Sequence, residues 1–151
     1  MRLWLRRVRA GQSHITSIVV NRPAPDVFTR LGDPGNLHRW SFGTWKTEIR
    51  PDGLVRGASL FDGASILVRI DKNAARLGID YHLGSEPGTL VPRIQLRMVP
   101  GSHVGLGDDR SVLTFIAWRS ETMDDERWRR LTAAHEMEAV LVKSLIESGQ
   151  M

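Results

Sequence analysis

From residue 14 to residue 119 the chain runs in short apolar–polar alternations separated by turn residues. His14 to Arg22 is rich in Ile, Val and Thr and predicts a first strand. Trp45 to Arg50 sets Trp45, Thr47 and Ile49 against Lys46, Glu48 and Arg50. Pro51-Asp52-Gly53 turns the chain into a run from Leu54 to Phe61, and Asp62-Gly63 marks a hairpin. Ser65 to Asp71 then groups Ile66, Val68 and Ile70, and the next run groups Leu77, Ile79, Tyr81 and Leu83. Ile94, Leu96 and Met98 stand against Arg93, Gln95 and Arg97. The segment Pro100 to Arg110, with its glycines and aspartates, predicts a long loop or irregular turn, and Val112 to Arg119 is the last strand. Such runs predict an antiparallel meander that is wet on one face and apolar on the other.

Two helical regions complete the pattern. Between the first two strands, Pro25 suits a first helical position and Asp26 a first turn, with a stop near Gly32. Asp33 and Pro34 start a second short helix that ends by Trp40, because Ser41-Phe42-Gly43-Thr44 breaks it. The other region is long. Thr122-Met123-Asp124-Asp125 resembles a capping box, no Pro or Gly interrupts the chain to Ser148, and Gly149 is the stop. At 100° per residue, Trp128, Leu131, Ala134, Leu141, Val142, Leu145 and Ile146 share a broad face, opposite Arg129, Glu136, Lys143 and Glu147. The sheet has an apolar face to cover, and this helix has one to bury.

The stretch from Val19 to Trp40 carries a further signal: an apolar strand end, Asn21-Arg22-Pro23, Val27-Phe28, Asp33-Pro34, Asn36-Leu37 and a closing Trp40. It resembles the START-like, or SRPBCC, superfamily of Bet v 1-like, polyketide cyclase/dehydrase-like and lipid-transfer proteins. The order of elements over residues 14 to 148 is similar to that family's. The resemblance implies an α+β helix-grip fold, in which a seven-stranded curved antiparallel sheet wraps a long C-terminal helix, with two short helices between strands 1 and 2. It also implies a cavity for an apolar ligand between sheet and helix, with Trp40 and Phe42 near its mouth. The family has no universal catalytic signature, so no catalytic residue is assigned by motif.

Size and charge narrow the class. The 151 residues suit one domain, read here as residues 13–149 after a basic arm at 1–12. The net charge of +4 comes from Arg2, Arg6, Arg7 and Arg9, and without them basic and acidic residues balance. The arm permits at most a transient contact with an anionic membrane surface. Arg93, Arg97 and Arg119 form a basic stripe without interleaved exposed aromatics, which reads as a solvated face and gives no reason to expect a nucleic-acid partner. There is no cysteine, no secretory h-region, and no apolar run near the ~18 residues of a spanning helix, so the chain reads as soluble and cytoplasmic. A homodimer is compatible with the sequence.

The sharpest anomaly is on the last helix. His135 and Glu138 fall inside its apolar face, three residues apart and therefore on neighbouring turns. Two readings stand open: both point inward to orient a ligand, or the helix rolls and both reach solvent past the rim. Trp40, Phe42, Trp45, Phe61, Tyr81, Met98, Trp118, Trp128 and Leu131 complete the candidate ligand-binding set, each also suited to plain core. Gly57 and Ser59 leave room beside Phe61, or permit a bulge. His135 and Glu138 supply two metal-type ligands but no third group completes a site, and no cofactor motif is present: Gly101 to Gly107 lacks a following Lys-Ser/Thr, and no Gly-x-Ser-x-Gly occurs. The expected function is binding of a hydrophobic small molecule such as a lipid, quinone, isoprenoid or polyketide-like aromatic. The alternatives are a cyclase/dehydratase using the same cavity and a protein-interaction adaptor with a filled core. An interior of several hundred Å³ would favour the first two, and a solid core the third.

Overall fold

The computed structural model describes residues 11–151, so the basic arm lies almost wholly outside the described residues. The chain forms β1 (Ser13–Val20), α1 (Ala24–Leu31), a 3-10 turn at Pro34–Asn36, α2 (Leu37–Trp40), β2 (Trp45–Ile49), β3 (Val55–Ala58), β4 (Ser65–Asn73), β5 (Gly78–Gly84), β6 (Val91–Pro100), β7 (Ser111–Trp118) and α3 (Asp125–Glu147). The strands make one curved antiparallel sheet in the order β1-β7-β6-β5-β4-β3-β2. β2 to β7 are a meander, and β1 pairs with β7 over its whole length, from Ser13 opposite Trp118 to Val20 opposite Ser111. This is the helix-grip fold. Among the described residues no helix is long and apolar enough to cross a membrane.

Local chemistry sets the boundaries. Asp26 and Arg30 pair at 2.9 Å across one turn of α1, and Asp33 caps the 3-10 turn by accepting from the Gly35 N–H at 2.8 Å. The Tyr81 hydroxyl donates to the Leu31 carbonyl at 2.7 Å, fastening the end of α1 to the middle of the sheet. Asp124, at the cap position, accepts from the Arg127 N–H at 2.7 Å and starts α3, while Gly149, at φ 75°, ends it in the left-handed region. Near that end Lys143 donates to the Val19 carbonyl at 2.6 Å, and Glu147 accepts from the Asn21 N–H at 2.7 Å. The helix is thereby tied along β1 with its apolar face turned into the sheet.

The core lies between α3, the two short helices and the concave face. Val20, Ile79, Leu96, Met98, Leu113 and Phe115 are fully buried there. Two sequence expectations are corrected. The loop or irregular turn expected for Pro100 to Arg110 begins one residue later, because β6 runs to Pro100, and it contains a 3-10 turn at Gly101–Val104. The strand proposed for Leu54 to Phe61 ends at Ala58: Leu60 donates to the Phe42 carbonyl at 2.9 Å, so the chain leaves its neighbour strand and puts Phe61 in the turn.

Candidate functional site

The cavity lies between α3 and the concave face of the sheet. α2 and the Ser41–Thr44 loop close one side, and the β3–β4 turn closes another. Of the residues singled out from the sequence, Trp40, Phe61, Tyr81, Leu131, His135 and Glu138 share its wall, together with Ile66, Val68 and Leu83. Its volume is about 80 Å³. That lies below the roughly 300–1,000 Å³ of typical ligand pockets, yet the interior is not solid.

Both anomalous helix residues point inward, with His135 3% and Glu138 5% exposed. They come inside because α3 is tied to β1, which leaves Met137 and Val140 to face solvent instead. Glu138 accepts a hydrogen bond from the Phe42 N–H at 3.1 Å. Burial pushes its carboxyl up to about 8, against the opposing effect of that N–H, so it carries its proton at neutral pH. Burial, and secondarily His14, pushes the His135 imidazole down to about 4, so it is neutral. Burial first, then the Glu138 charge, raises the Tyr81 phenol above its ordinary range.

Aromatic edges frame these groups. Trp40 meets Tyr81 at 5.8 Å and Phe115 at 5.9 Å between ring centroids, both T-shaped, and Phe115 meets His135 at 6.1 Å. Three buried nitrogens of described wall residues have no hydrogen-bond partner, Trp40 Nε1, His135 Nδ1 and, further along the wall, Arg127 Nη1. An indole N–H only donates, so it lacks an acceptor. The wall therefore offers an apolar surface, an unused donor, a neutral carboxyl and a neutral imidazole, with no formal charge at that end.

The other candidates lie elsewhere. Met98 and Trp128 are buried, in the core and under the first turn of α3, but are not part of the wall. Phe42 contributes its backbone N–H rather than its ring. Trp45, placed on an inward face by alternation, is 44% exposed beneath Lys46, whose ammonium lies 4.4 Å from its ring. The cause is a register shift between Trp45 and Glu48 on this edge strand, with Lys46 at φ 49°. Trp118 is 37% exposed because Leu113, Phe115 and Ala117 take the inward positions of β7, which turns residue 118 outward. Gly57 gives room to Thr44 rather than to a ligand: a Cβ there would meet Thr44 Cγ2 at 2.6 Å and the Trp45 carbonyl at 3.1 Å.

Arg127 and Thr44 also line the cavity and escaped the sequence reading, whereas Ser59, expected to leave room beside Phe61, lines it as well. Arg127 had a usable signal, since positions 127, 131, 134 and 138 form one stripe along a helix. Thr44 had none, because its loop is placed only by tertiary contacts. Among the described residues no group of three or more His, Asp or Glu side chains is arranged to hold a metal ion.

No family model matches the chain, and no curated protein matches it at a significant level. Solved structures do. A START superfamily protein from Mycobacterium smegmatis superimposes with a TM-score of 0.66 at 15% identity, over 91% of this chain and 99% of that one. The Zhui aromatase/cyclase from a Streptomyces species gives 0.63 at 21% identity, over 89% and 93%. The di-domain ARO/CYC protein BexL gives 0.65 at 16% identity, over 89% of this chain and 46% of that one. The fold is therefore START-like, and among such structures are proteins described as aromatase/cyclases.

Proposed function

We propose that the protein binds an apolar or amphipathic small molecule in the cavity between sheet and C-terminal helix, of the lipid, quinone, isoprenoid or polyketide-like kind. The observation that carries this is the unpartnered Trp40 N–H beside the buried His135 and Glu138 in an apolar wall. An unsatisfied buried donor costs about 1–3 kcal/mol, and a ligand oxygen offsets that cost. Enclosure of apolar surface supplies the affinity, at roughly 25 cal/mol per Å², and the few polar groups set orientation. On this reading the structure is a closed form. A ligand beyond a few heavy atoms enters only after the rim near Trp40, Phe42 and Phe61 moves.

Native mass spectrometry of freshly purified protein, with extraction of co-purifying material and exposure to lipid and quinone extracts, tests this. A reproducible bound mass supports it. Repeated preparations showing only the apo mass overturn it and favour the filled-core adaptor, which the small volume suits.

A second reading rests on the charge states of His135 and Glu138. One cavity holds a neutral imidazole that can take a proton and a protonated carboxyl that can give one, the combination that aldol and dehydration steps require. It predicts that His135→Ala abolishes turnover of a cyclising substrate while its binding survives.

A further inference from the structure

The cavity wall also holds a cation. Arg127 lies in the first turn of α3, where the Asp124 cap fixes its backbone N–H at 2.7 Å. Its guanidinium sits 4.0 Å from the Phe61 ring centroid, and Nη1 is buried without a hydrogen-bond partner. The residue borders two spaces at once, the interior cavity and an outer groove. Asp62 and Asp124, the acids that support its charge, line only the outer groove, as does Arg130, which opposes it. None of the described acids forms an ion pair with its guanidinium. Burial removes water from this cation more than the two acids compensate. A guanidinium has five donors in a planar fork suited to two carboxylate oxygens. On the cavity side, this fork meets an aromatic ring and an apolar wall.

Helix geometry relates the two polar ends. Arg127 and Glu138 fall on one stripe with Leu131 and Ala134 between them, roughly 16 Å apart along the axis at 1.5 Å per residue. One end is neutral and the other positive, with apolar surface between.

We propose that Arg127 recognises the anionic head of an amphipathic ligand, a carboxylate on an apolar body, and holds it at the Phe61 rim while the body lies along the stripe toward Glu138. This rests on the cavity being the binding site. It gives the ligand a direction: the neutral end enters first, because the protonated Glu138 and the Trp40 N–H offer no counter-charge at the closed end. A carboxylate is preferred over the same chain with an uncharged head, since only the former uses the fork.

Calorimetric titration of the full chain at pH 7.5 with octanoate and 1-octanol, which share a chain and differ in charge, tests the assignment. Wild type is expected to bind octanoate at least about tenfold tighter than 1-octanol, the gain of one charge-assisted pair. Arg127→Gln should erase that preference by weakening octanoate far more than 1-octanol. Arg127→Lys keeps the charge without the planar fork and should retain part of the preference, giving a readout if the Gln variant does not fold. Equal affinities in wild type, or an undiminished preference in Arg127→Gln, overturn the role of Arg127 and leave the cavity reading standing. If neither compound binds wild type, the cavity reading falls for this ligand class, and the Arg127 assignment falls with it.

Discussion

Glu138 Oε1 accepts the backbone N–H of Phe42 at 3.1 Å, so a buried carboxyl on the last helix holds the loop that closes the cavity. The bond spans 96 residues of sequence and joins α3 to the segment between α2 and β2. The same carboxyl faces the cavity, which couples anything that changes its charge to the closing loop.

Stability should therefore depend on pH through Glu138. Its folded pKa is raised, so the folded state binds the proton more tightly than the unfolded chain does. The contribution is full below the ordinary value of 4.5 and is lost as pH rises through about 8. A shift of this size is worth on the order of 5 kcal/mol. His135 has the opposite sign: its contribution is full above 6.5 and lost as pH falls through about 4. Among the described residues Glu138 is the group whose shift covers the window from 6.5 to 8, so wild type should weaken across it. Glu138→Gln should remove the slope, read by urea denaturation at pH 6.5, 7.3 and 8.

Removing the acceptor should loosen the loop. In Glu138→Ala the Phe42 N–H loses its partner, at a cost of about 1–3 kcal/mol if it stays buried. Hydrogen exchange is the direct measurement: the Phe42 amide should lose protection while amides of β5 and β6 keep theirs. Unchanged exchange at Phe42 would show that the bond does not hold the loop.

Two residues of the aromatic frame should respond unequally. His135→Leu removes a buried imidazole whose Nδ1 has no partner, so its cost should stay below about 1 kcal/mol. Phe115→Ala empties a fully buried site between Trp40 and His135 and should cost about 3–5 kcal/mol. Thermal melts at pH 7.5 distinguish them.

Tyr81→Phe should cost about 1–3 kcal/mol, because it strands the Leu31 carbonyl that the hydroxyl now satisfies. The loss should concentrate at the end of α1, seen as faster amide exchange there than in the centre of the sheet.

Gly57→Val should destabilise by about 2 kcal/mol or more, since the first added carbon already collides with Thr44 and the Trp45 carbonyl. A ligand-space role for Gly57 instead predicts lower affinity with an unchanged melting temperature.

Period-two alternation and one long amphipathic helix determined a one-sided sheet and a one-sided helix that must each bury the face the other offers, and the resemblance of Val19 to Trp40 to the START-like superfamily implied their helix-grip arrangement. The same helical wheel set His135, Glu138 and Leu131 on the inner stripe. Whether the two polar groups reached solvent depended on helix roll, which Lys143 and Glu147 settle through bonds to the backbone of β1 and the residue after it. Trp45 was misplaced because an edge-strand irregularity at Lys46 breaks the alternation that the reading assumed. Trp118 was misplaced because β7 is apolar on both faces, so parity alone could not choose. Phe61 met Arg127 through a turn and a helix start that are distant in the chain, and the cavity's size follows from how closely side chains interlock. Those are properties of packing among distant segments, so only the tertiary structure decided them.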